Sequence, residues 1–297
     1  MKGAMAGMRG RWSRPGGWRT EVLLFGLALL AYQGARAVTR GGTTDALANA
    51  DRVFDLERAL GIDVEGPLQR ALLGTPWLTV LDWVYLLAQQ VVLAAGIVYV
   101  YRRSRPVYRT LRTTLLATWI LTLPVYALFP TAPPRLTGLG LLDSVSSSTP
   151  VALGSGSTTF FYNPYAAVPS LHAGFAVALG IAVALSARSW ALRAAGLVWG
   201  PLVILSVLAT GNHFVVDAVA GVLITGIGFG LALVIERVPL RVPLLGALRA
   251  AAPPAAGAMA VAARRALPRR TADPAFARAA APAASGVRHP ARAGPRA

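Results

Sequence analysis

The chain has no cysteine among its 297 residues, so a disulfide framework and a thiolate metal site are both excluded. Acidic residues are also scarce, because 12 Asp and Glu stand against 29 Lys and Arg, and Lys2 is the single lysine. Only 14% of the residues are charged, 55% are hydrophobic, and the mean hydropathy is +0.54. A soluble domain carries roughly a quarter charged residues. The composition therefore predicts an integral membrane protein.

The net charge of +17 has two interpretations, a nucleic-acid partner or membrane topology. The arginines gather in the two tails and in short segments between apolar runs, not along one long basic face. This distribution is typical of the positive-inside rule and of binding to anionic lipid. We therefore expect anionic membrane lipid to bind the basic tails, and we expect no nucleic-acid partner.

Apolar runs of roughly 20 residues are long enough to cross a bilayer core as helices. Six such runs predict an all-α, six-transmembrane-helix bundle over residues 21–236, with spans at about Val22–Val38, Leu78–Tyr101, Leu115–Phe129, Pro169–Ala187, Ala191–Thr210 and His213–Ile235. Residues 102–112 are then a short arginine-rich loop between the second and third spans. The predicted architecture is a polytopic membrane protein.

The remaining segments differ from these spans in composition. Residues 1–20 are basic and rich in glycine, and 237–297 contain eleven arginines, one acid (Asp273) and many Ala and Pro, so both tails are predicted to be disordered. Residues 45–73 have leucines at helical spacing and predict an amphipathic segment on the membrane surface. Residues 136–165, rich in Gly, Ser and Thr, predict an external loop that caps a site.

The arginine clusters agree with one orientation. With both termini in the cytoplasm, residues 102–112, residues 188–193 and the C-terminal tail all lie inside, where basic residues accumulate. The 45–70 segment, in which acids outnumber arginines, then lies outside. The single lysine and the abundant Ala, Gly and Pro are typical of a GC-rich bacterial genome, so we expect a multi-pass protein of the bacterial plasma membrane.

This orientation brings four ionisable side chains to one depth near the outer surface. Arg135 follows the third span, His172 begins the fourth, and His213 begins the sixth with Asp217 one turn deeper. Two of the three histidines of the chain are in this set. Ionisable residues inside a membrane usually mark a functional site, so we expect an active site facing the periplasm.

The residue types predict phosphoryl transfer through a phosphohistidine. His213 and Asp217 are four residues apart, hence on one helix face, where a carboxylate can hold one imidazole nitrogen as N–H and leave the other free to attack. His172 is suited to protonate a leaving group. Arg135 has the planar fork that grips phosphate oxygens.

The start of the fourth span predicts a second phosphate contact. Pro169 fits the first position of a helix, and the N–H groups of Ser170 and Leu171 would then point outward at a helix N-terminus, which binds anions. We therefore predict Arg135, Ser170 and Leu171 as phosphate-binding residues.

Each of these residues also has a simpler explanation. A histidine at a membrane interface is most often a capping residue, an arginine there can be an anchor, and two histidines with a carboxylate could bind zinc. The nearby arginine favours an anion over a cation. We therefore predict that the site uses no metal and no cofactor.

Three stretches resemble one family of membrane enzymes. Pro169-Ser170-Leu171-His172 and Gly211-Asn212-His213-x-x-x-Asp217 are similar to motifs of the type 2 phosphatidate phosphatase (lipid phosphate phosphatase) superfamily. Together with Glu57-Arg-Ala-Leu-Gly61-Ile, these motifs resemble the inositolphosphotransferase-like branch of the superfamily. That branch is related to fungal inositol phosphorylceramide synthases. The resemblance covers about residues 45–235.

The resemblance implies His213 as nucleophile, Asp217 as its orienting partner and His172 as general acid. It implies Arg135 and Ser170 as phosphate binders. The chain departs from the superfamily at Val207, where an arginine often precedes the nucleophile by six residues. Fewer fixed cations favour a single phosphate over a diphosphate.

The sequence is compatible with three functions. The first is an inositolphosphotransferase-like enzyme that passes a phosphoryl-bearing group from a lipid phosphate or phospholipid to an alcohol such as a polyol or inositol. The second is a lipid phosphate phosphatase that passes the group of phosphatidate or a polyprenyl phosphate or diphosphate to water. The third is a non-catalytic lipid-binding membrane protein with a relict site.

Overall fold

The computed structural model describes residues 17–38, 42–151, 153 and 164–237. The chain divides into two units, 1–240 and 241–297, and every described residue belongs to the first. The prediction of disorder for residues 1–20 is wrong at its end, because Trp18–Thr20 are helical. Residues 1–16 and the tail beyond 237 lie outside the described residues. Most of the second half of the predicted external loop, 152 and 154–163, also lies outside them.

The described residues form helices and no β-strand, as the predicted all-α class requires. In chain order they are α1 (Trp18–Val38), α2 (Thr43–Leu60), α3 (Glu65–Leu72), α4 (Pro76–Leu87), α5 (Leu93–Arg103), α6 (Arg105–Leu128), α7 (Ser144–Ser148), α8 (Leu171–Ser186), α9 (Trp190–Ala209) and α10 (Val215–Arg237). A π-helical turn, Ala88–Val92, joins α4 to α5, and a 3₁₀ turn, Pro134–Leu136, follows α6.

Four described helical segments are long and apolar enough to cross a membrane: Pro76–Arg103, Arg105–Leu128, Trp190–Ala209 and Val215–Glu236. They correspond to the predicted second, third, fifth and sixth spans. The predicted fourth span is α8, an apolar helix of 16 residues, or about 24 Å. The predicted first span is α1, which has 21 residues but is not among the four.

The prediction of an arginine-rich loop at 102–112 is wrong. Arg102 and Arg103 form the last turn of α5, Ser104 alone interrupts the helix, and α6 begins at Arg105 with Pro106 in its first turn. Arginine is a good helix former, and proline is tolerated in a first turn. The two spans therefore continue as helices through the basic residues, and the connection is a single residue.

Helix α8 lies at the centre and packs against α5, α6, α9 and α10. Its contact with α9 is close because glycines face each other, and a Cβ added to Gly196 would lie 2.7 Å from the carbonyl oxygen of Gly180. Small residues commonly permit such backbone contact between membrane helices. On another face of α8, Phe175 and Leu179 join the core around Tyr108 and Leu115.

The 45–73 segment forms the helical hairpin α2–α3. Its turn uses Gly61 at φ 68°, a left-handed conformation that glycine adopts without strain, and the N–H of Ile62 donates to the carbonyl of Glu57. Ala46, Ala50 and Val53 of α2 pack against Phe214. The hairpin is therefore seated next to the start of α10.

The loop after α6 is fixed at several points within its described part. Thr131 and Ala166 form an isolated parallel bridge, which places the end of α6 beside the start of α8. Gln69 of α3 donates to the carbonyls of Leu142 and Ala209 at 3.0 and 3.1 Å. Helix α7 is fixed to α4, where Ser144 donates to buried Asp82 at 2.6 Å. These contacts hold the loop over one end of the bundle.

Candidate active site

His213 lies in the short turn between α9 and α10, and 7% of its surface is exposed. Its Nδ1 lies 3.0 Å from the carbonyl oxygen of Ala167 and 3.3 Å from Oδ2 of Asp217. A carbonyl oxygen can only accept, so Nδ1 carries the proton in this network. In the neutral ring, Nε2 therefore holds the lone pair and can act as a nucleophile.

Asp217 lies in the first turn of α10 and is fully buried. Its Oδ2 accepts from His213 and from the backbone N–H of Phe214 at 2.9 Å, so two hydrogen bonds hold this oxygen in place. The i, i+4 relation predicted from the sequence is present as a 3.3 Å contact between Nδ1 and Oδ2. A fixed carboxylate of this kind orients an imidazole and stabilises the charge that the ring acquires.

His172 lies at the second position of α8. Its ring stacks on Tyr85 with 4.5 Å between ring centroids, and its centroid is 6.0 Å from that of His213. The two histidines, 41 positions apart in sequence, are therefore close enough to act on opposite sides of one small group. Tyr85 limits the positions that the His172 ring can adopt.

The prediction for the start of α8 is wrong in one respect. The helix begins at Leu171 and not at Pro169, and Ser170 is its N-cap, whose side chain accepts from the N–H of Ala173 at 3.3 Å. The Ser170 N–H does not point outward, because it donates to the carbonyl of Asp217 at 2.9 Å. Ser170 is completely buried, whereas Leu171 and His172 line the cavity and occupy helix positions whose N–H groups lack intrahelical acceptors.

Arg135 is buried beside the turn that carries His213. Its Nε donates to Oδ1 of Asn212 at 3.1 Å, its backbone N–H donates to Gly211, and Asp143 lies 3.9 Å away. Arg135 does not line the cavity described below, but its partner Asn212 does. The structure thus places Arg135 next to the turn that carries His213, and the hydrogen bond to Asn212 joins the two.

A cavity of about 420 Å³ opens beside the two histidines. Leu171, His172, Asn212 and His213 line it on one side, and Tyr85 and the π-turn of the second span line another. The volume is within the range of small-molecule sites. The predicted residues from α8 and α10 therefore meet at one concave surface.

Two carboxyl groups at this site were not predicted from the sequence as functional. Glu57 and Glu65 are almost fully buried, and their Oε1 atoms accept from the N–H groups of Val216 and Val215, both at 2.7 Å. With Asp217 accepting from Phe214, three successive amides at the start of α10 each bind a carboxyl group. The α2–α3 hairpin thus holds the turn that carries His213. The one indication in the sequence that these glutamates matter is the similarity of the Glu57–Gly61 stretch to a family motif.

Burial raises the pKa of Glu57 to about 8, and it also raises the pKa of Glu65. The folded state therefore binds more protons than the unfolded state between the ordinary carboxyl pKa and about pH 8, so stability falls as pH rises through this range. We expect the unfolding midpoint to fall by at least about 3 °C from pH 5 to pH 8.

The Glu57→Gln variant tests this titration. The amide keeps the acceptor oxygen for Val216 but cannot ionise, so most of the fall in midpoint should disappear. Asp55→Asn removes an exposed carboxyl from the same helix and is the matched control. Thermal unfolding in detergent at several pH values measures all three proteins. An unchanged slope in Glu57→Gln would contradict the assignment.

Gly221 of α10 lies against the backbone of Ser170. A Cβ there would overlap the Ser170 carbonyl oxygen and lie 2.8 Å from its carbonyl carbon. Gly221→Ala should therefore push α10 from the start of α8, lowering stability by about 1–3 kcal/mol and reducing turnover.

Gly226 of the same helix has open space around it, and is the control. Gly226→Ala should raise stability by roughly 0.5–1 kcal/mol, because alanine loses less backbone entropy in a helix. Thermal unfolding and a turnover assay compare the two variants. Equal midpoints would show that the close contact at Gly221 is unimportant.

Within the described ranges, no three His, Cys, Asp or Glu side chains are grouped to hold a metal ion. His172, His213 and Asp217 thus lack the arrangement that the zinc alternative requires. Metal independence itself stays a prediction, and loss of activity on chelation would contradict it.

Comparison with known proteins identifies the family to which the chain belongs. Residues 51–231, well over half of the chain, match the family model described as the PAP2 superfamily. Both histidines, Asp217, Arg135 and the Glu57–Glu65 pair lie within this match. No curated protein and no solved structure matches the chain.

Proposed function

The chain belongs to the PAP2 superfamily, and on this basis we propose that it is a membrane lipid phosphoesterase or phosphotransferase that works through a phosphohistidine. Membership indicates a lipid phosphatase-type function in a helical membrane protein. The observation that carries the proposal is the hydrogen bond from His213 Nδ1 to Ala167, because it leaves Nε2 as the nucleophilic nitrogen beside a cavity.

In the first step, Nε2 of His213 attacks phosphorus and forms a P–N bond. The P–O bond to the leaving alcohol breaks, and protonated His172 gives its proton to that oxygen. Asp217 stabilises the positive charge on the His213 ring. In the second step, neutral His172 takes a proton from water or an alcohol, whose oxygen attacks phosphorus and breaks the P–N bond. Both histidines return to their starting protonation states.

Phosphate oxygens need positive partners in this mechanism. We assign that role to the Arg135 guanidinium, which is permanently charged, and to the N–H groups at the start of α8, including Leu171. Ser170, predicted as a phosphate binder, is buried away from the cavity, and its role in this proposal is to fix the helix start by accepting from the N–H of Ala173. Asp143, 3.9 Å from Arg135, would compete with the phosphate for the guanidinium.

The identity of the acceptor separates the candidate activities. We favour an inositolphosphotransferase-like reaction with an alcohol acceptor, on the similarity of the Glu57–Gly61 stretch to that branch. Hydrolysis of phosphatidate or a polyprenyl phosphate or diphosphate is the alternative, in which water is the acceptor. A non-catalytic lipid-binding role is the third, and the intact pairing of His213 with Asp217 disfavours it.

One assay separates these three functions. Purified protein in lipid nanodiscs is incubated with phosphatidate, a polyprenyl phosphate and phosphatidylinositol, with and without added inositol. Free phosphate identifies a phosphatase, whereas a new phosphorylated alcohol or lipid identifies a transferase. Binding of these lipids without either product would identify a lipid-binding protein and overturn the proposed enzyme.

The membrane topology is part of the proposal. We infer six spans, with α1 and α8 added to the four long apolar segments, both termini in the cytoplasm, and the site facing outward from a bacterial plasma membrane. The arginines at the junction of α5 and α6 and the basic tails support this orientation. The tails would then bind anionic lipid of the inner leaflet.

Cysteine labelling tests the orientation without background, since the chain contains no cysteine. Leu142→Cys, at an exposed position of the loop near the site, should react with an impermeant maleimide in intact cells. Arg102→Cys, at an exposed position at the end of α5, should react only after the cells are opened. Labelling of Arg102→Cys in intact cells would reverse the topology.

A further inference from the structure

A π-helical turn interrupts the second span at the level of the cavity. Residues Ala88–Val92 form it, and the N–H of Leu93 donates to the carbonyl five residues earlier at Ala88. The turn carries two amides, Gln89 and Gln90, in a segment that is otherwise apolar. π-Turns are rare and frequently occur at functional sites. Two amides in a membrane span need polar partners or a ligand.

The amide oxygen of Gln89 has no such partner among the described residues. Its Oε1 is buried and accepts no hydrogen bond from that part of the chain. Buried polar atoms of this kind are few in native proteins and each one requires an explanation. Gln89 and Gln90 both line the cavity beside the two histidines. Because Gln89 lies at the cavity, a bound molecule whose hydroxyl groups donate to this oxygen would explain its position.

Gln89 lies on the His172 side of the cavity, and Gln90 follows it in the same turn. Gln89 also lines a small recess with His172 that does not include His213, and Tyr85, one turn earlier, stacks on His172. In an in-line displacement the leaving oxygen departs opposite the nucleophile and next to the general acid. In the second step the accepting oxygen enters at the same place, next to the same histidine.

We propose that Gln89 and Gln90 form a subsite for the acceptor, and that the acceptor is an uncharged alcohol with several hydroxyl groups. This inference rests on the proposed phosphotransfer. An amide offers two donors and an acceptor, which fits hydroxyl groups that both donate and accept.

The charges around the cavity favour a neutral acceptor. None of the described lining residues is Asp, Glu, Lys or Arg, so nothing there would neutralise a cationic amine or an anionic carboxylate. Tyr126, which also lines the cavity, donates to the carbonyl of Pro169 at 2.9 Å. The two glutamines are therefore uncharged polar groups of the lining that an acceptor could contact.

The test measures how often the phosphohistidine transfers its phosphoryl group to an added alcohol and how often it transfers the group to water. Protein in nanodiscs is given phosphatidate as donor with inositol, glycerol or ethanolamine at equal concentration, and phosphorylated alcohol and free phosphate are both measured. For wild type, we expect the ratio of phosphorylated alcohol to phosphate to be highest with inositol. The ratio is independent of the amount of folded protein.

Gln89→Leu and Gln90→Leu remove the amides but keep apolar side chains of similar size. Each should lower the inositol-to-water ratio about tenfold, the loss expected for one hydrogen bond. Gln89→Glu should shift the preference toward ethanolamine. Val91→Ala, on the same turn but 54% exposed and outside the cavity lining, is the control and should behave as wild type.

Each outcome is decisive. Wild-type ratios in both leucine variants would overturn the subsite and leave the phosphotransfer mechanism standing. Phosphate release without any phosphorylated alcohol from wild type would also overturn it and identify a phosphatase. Absence of turnover with every donor would overturn the proposed function, and the subsite with it.

Discussion

His213→Ala should reduce phosphoester turnover to the background of the assay while the protein still inserts and folds. The variant removes Nε2, the nitrogen that keeps its lone pair beside the cavity when Nδ1 bonds to Ala167, so no P–N bond can form at this position. The chain around it stays fixed, because Glu57 and Glu65 hold the start of α10 through backbone amides.

Two measurements check this result. Phosphate release from a radiolabelled lipid phosphate reports turnover, and acid-labile label retained on the protein after rapid quenching reports the phosphohistidine. His289→Ala, which removes the third histidine of the chain, is the matched control and should retain both signals. Turnover within tenfold of wild type in His213→Ala, or label retained by it, would remove His213 from the mechanism.

Asp217→Asn should have the second largest effect, a loss in kcat of about 10⁴-fold with little change in KM, as for the equivalent substitution in a hydrolase triad. Asparagine has nearly the same shape and can still accept from Phe214. It cannot, however, stabilise the positive charge that the His213 ring acquires when Nε2 bonds to phosphorus. A side chain that stabilises only the transition state affects kcat and leaves substrate binding nearly intact.

Steady-state kinetics of the purified variant measure the effect. Asp51→Asn removes an exposed carboxylate of α2 and should leave both constants unchanged. A loss in kcat below tenfold would mean that Asp217 only holds the backbone of Phe214. A rise in KM alone would place it in substrate binding.

Much of the local structure was predictable from the sequence. The apolar runs gave four spans of sufficient length, and the four-residue spacing of His213 and Asp217 gave their contact. The errors occurred where one sequence is compatible with two local conformations. Arginines after a span are compatible with a loop, but arginine also continues a helix well. Pro169 is compatible with the first helical position, but Ser170 supplies the N-cap and the helix begins after it.

Other features could not be predicted because they depend on residues far apart in the chain. Glu57 binds the N–H of Val216, 159 residues later, and only packing of the α2–α3 hairpin against Phe214 brings them together. The carbonyl of Ala167 that fixes the His213 tautomer is 46 residues away. No spacing rule relates such pairs.

The sequence by itself determined which segments are long and apolar enough to cross a membrane and which residue types could carry phosphoryl transfer, because apolar length and helical spacing act over one or a few turns. The tertiary structure alone decided which nitrogen of His213 is free, which N–H of Ser170 is already used, and which carboxyl groups hold α10. It also decided that the amides of the π-turn line the cavity. These outcomes depend on which donors and acceptors meet when helices pack, and every buried polar group then competes for partners that distant segments supply.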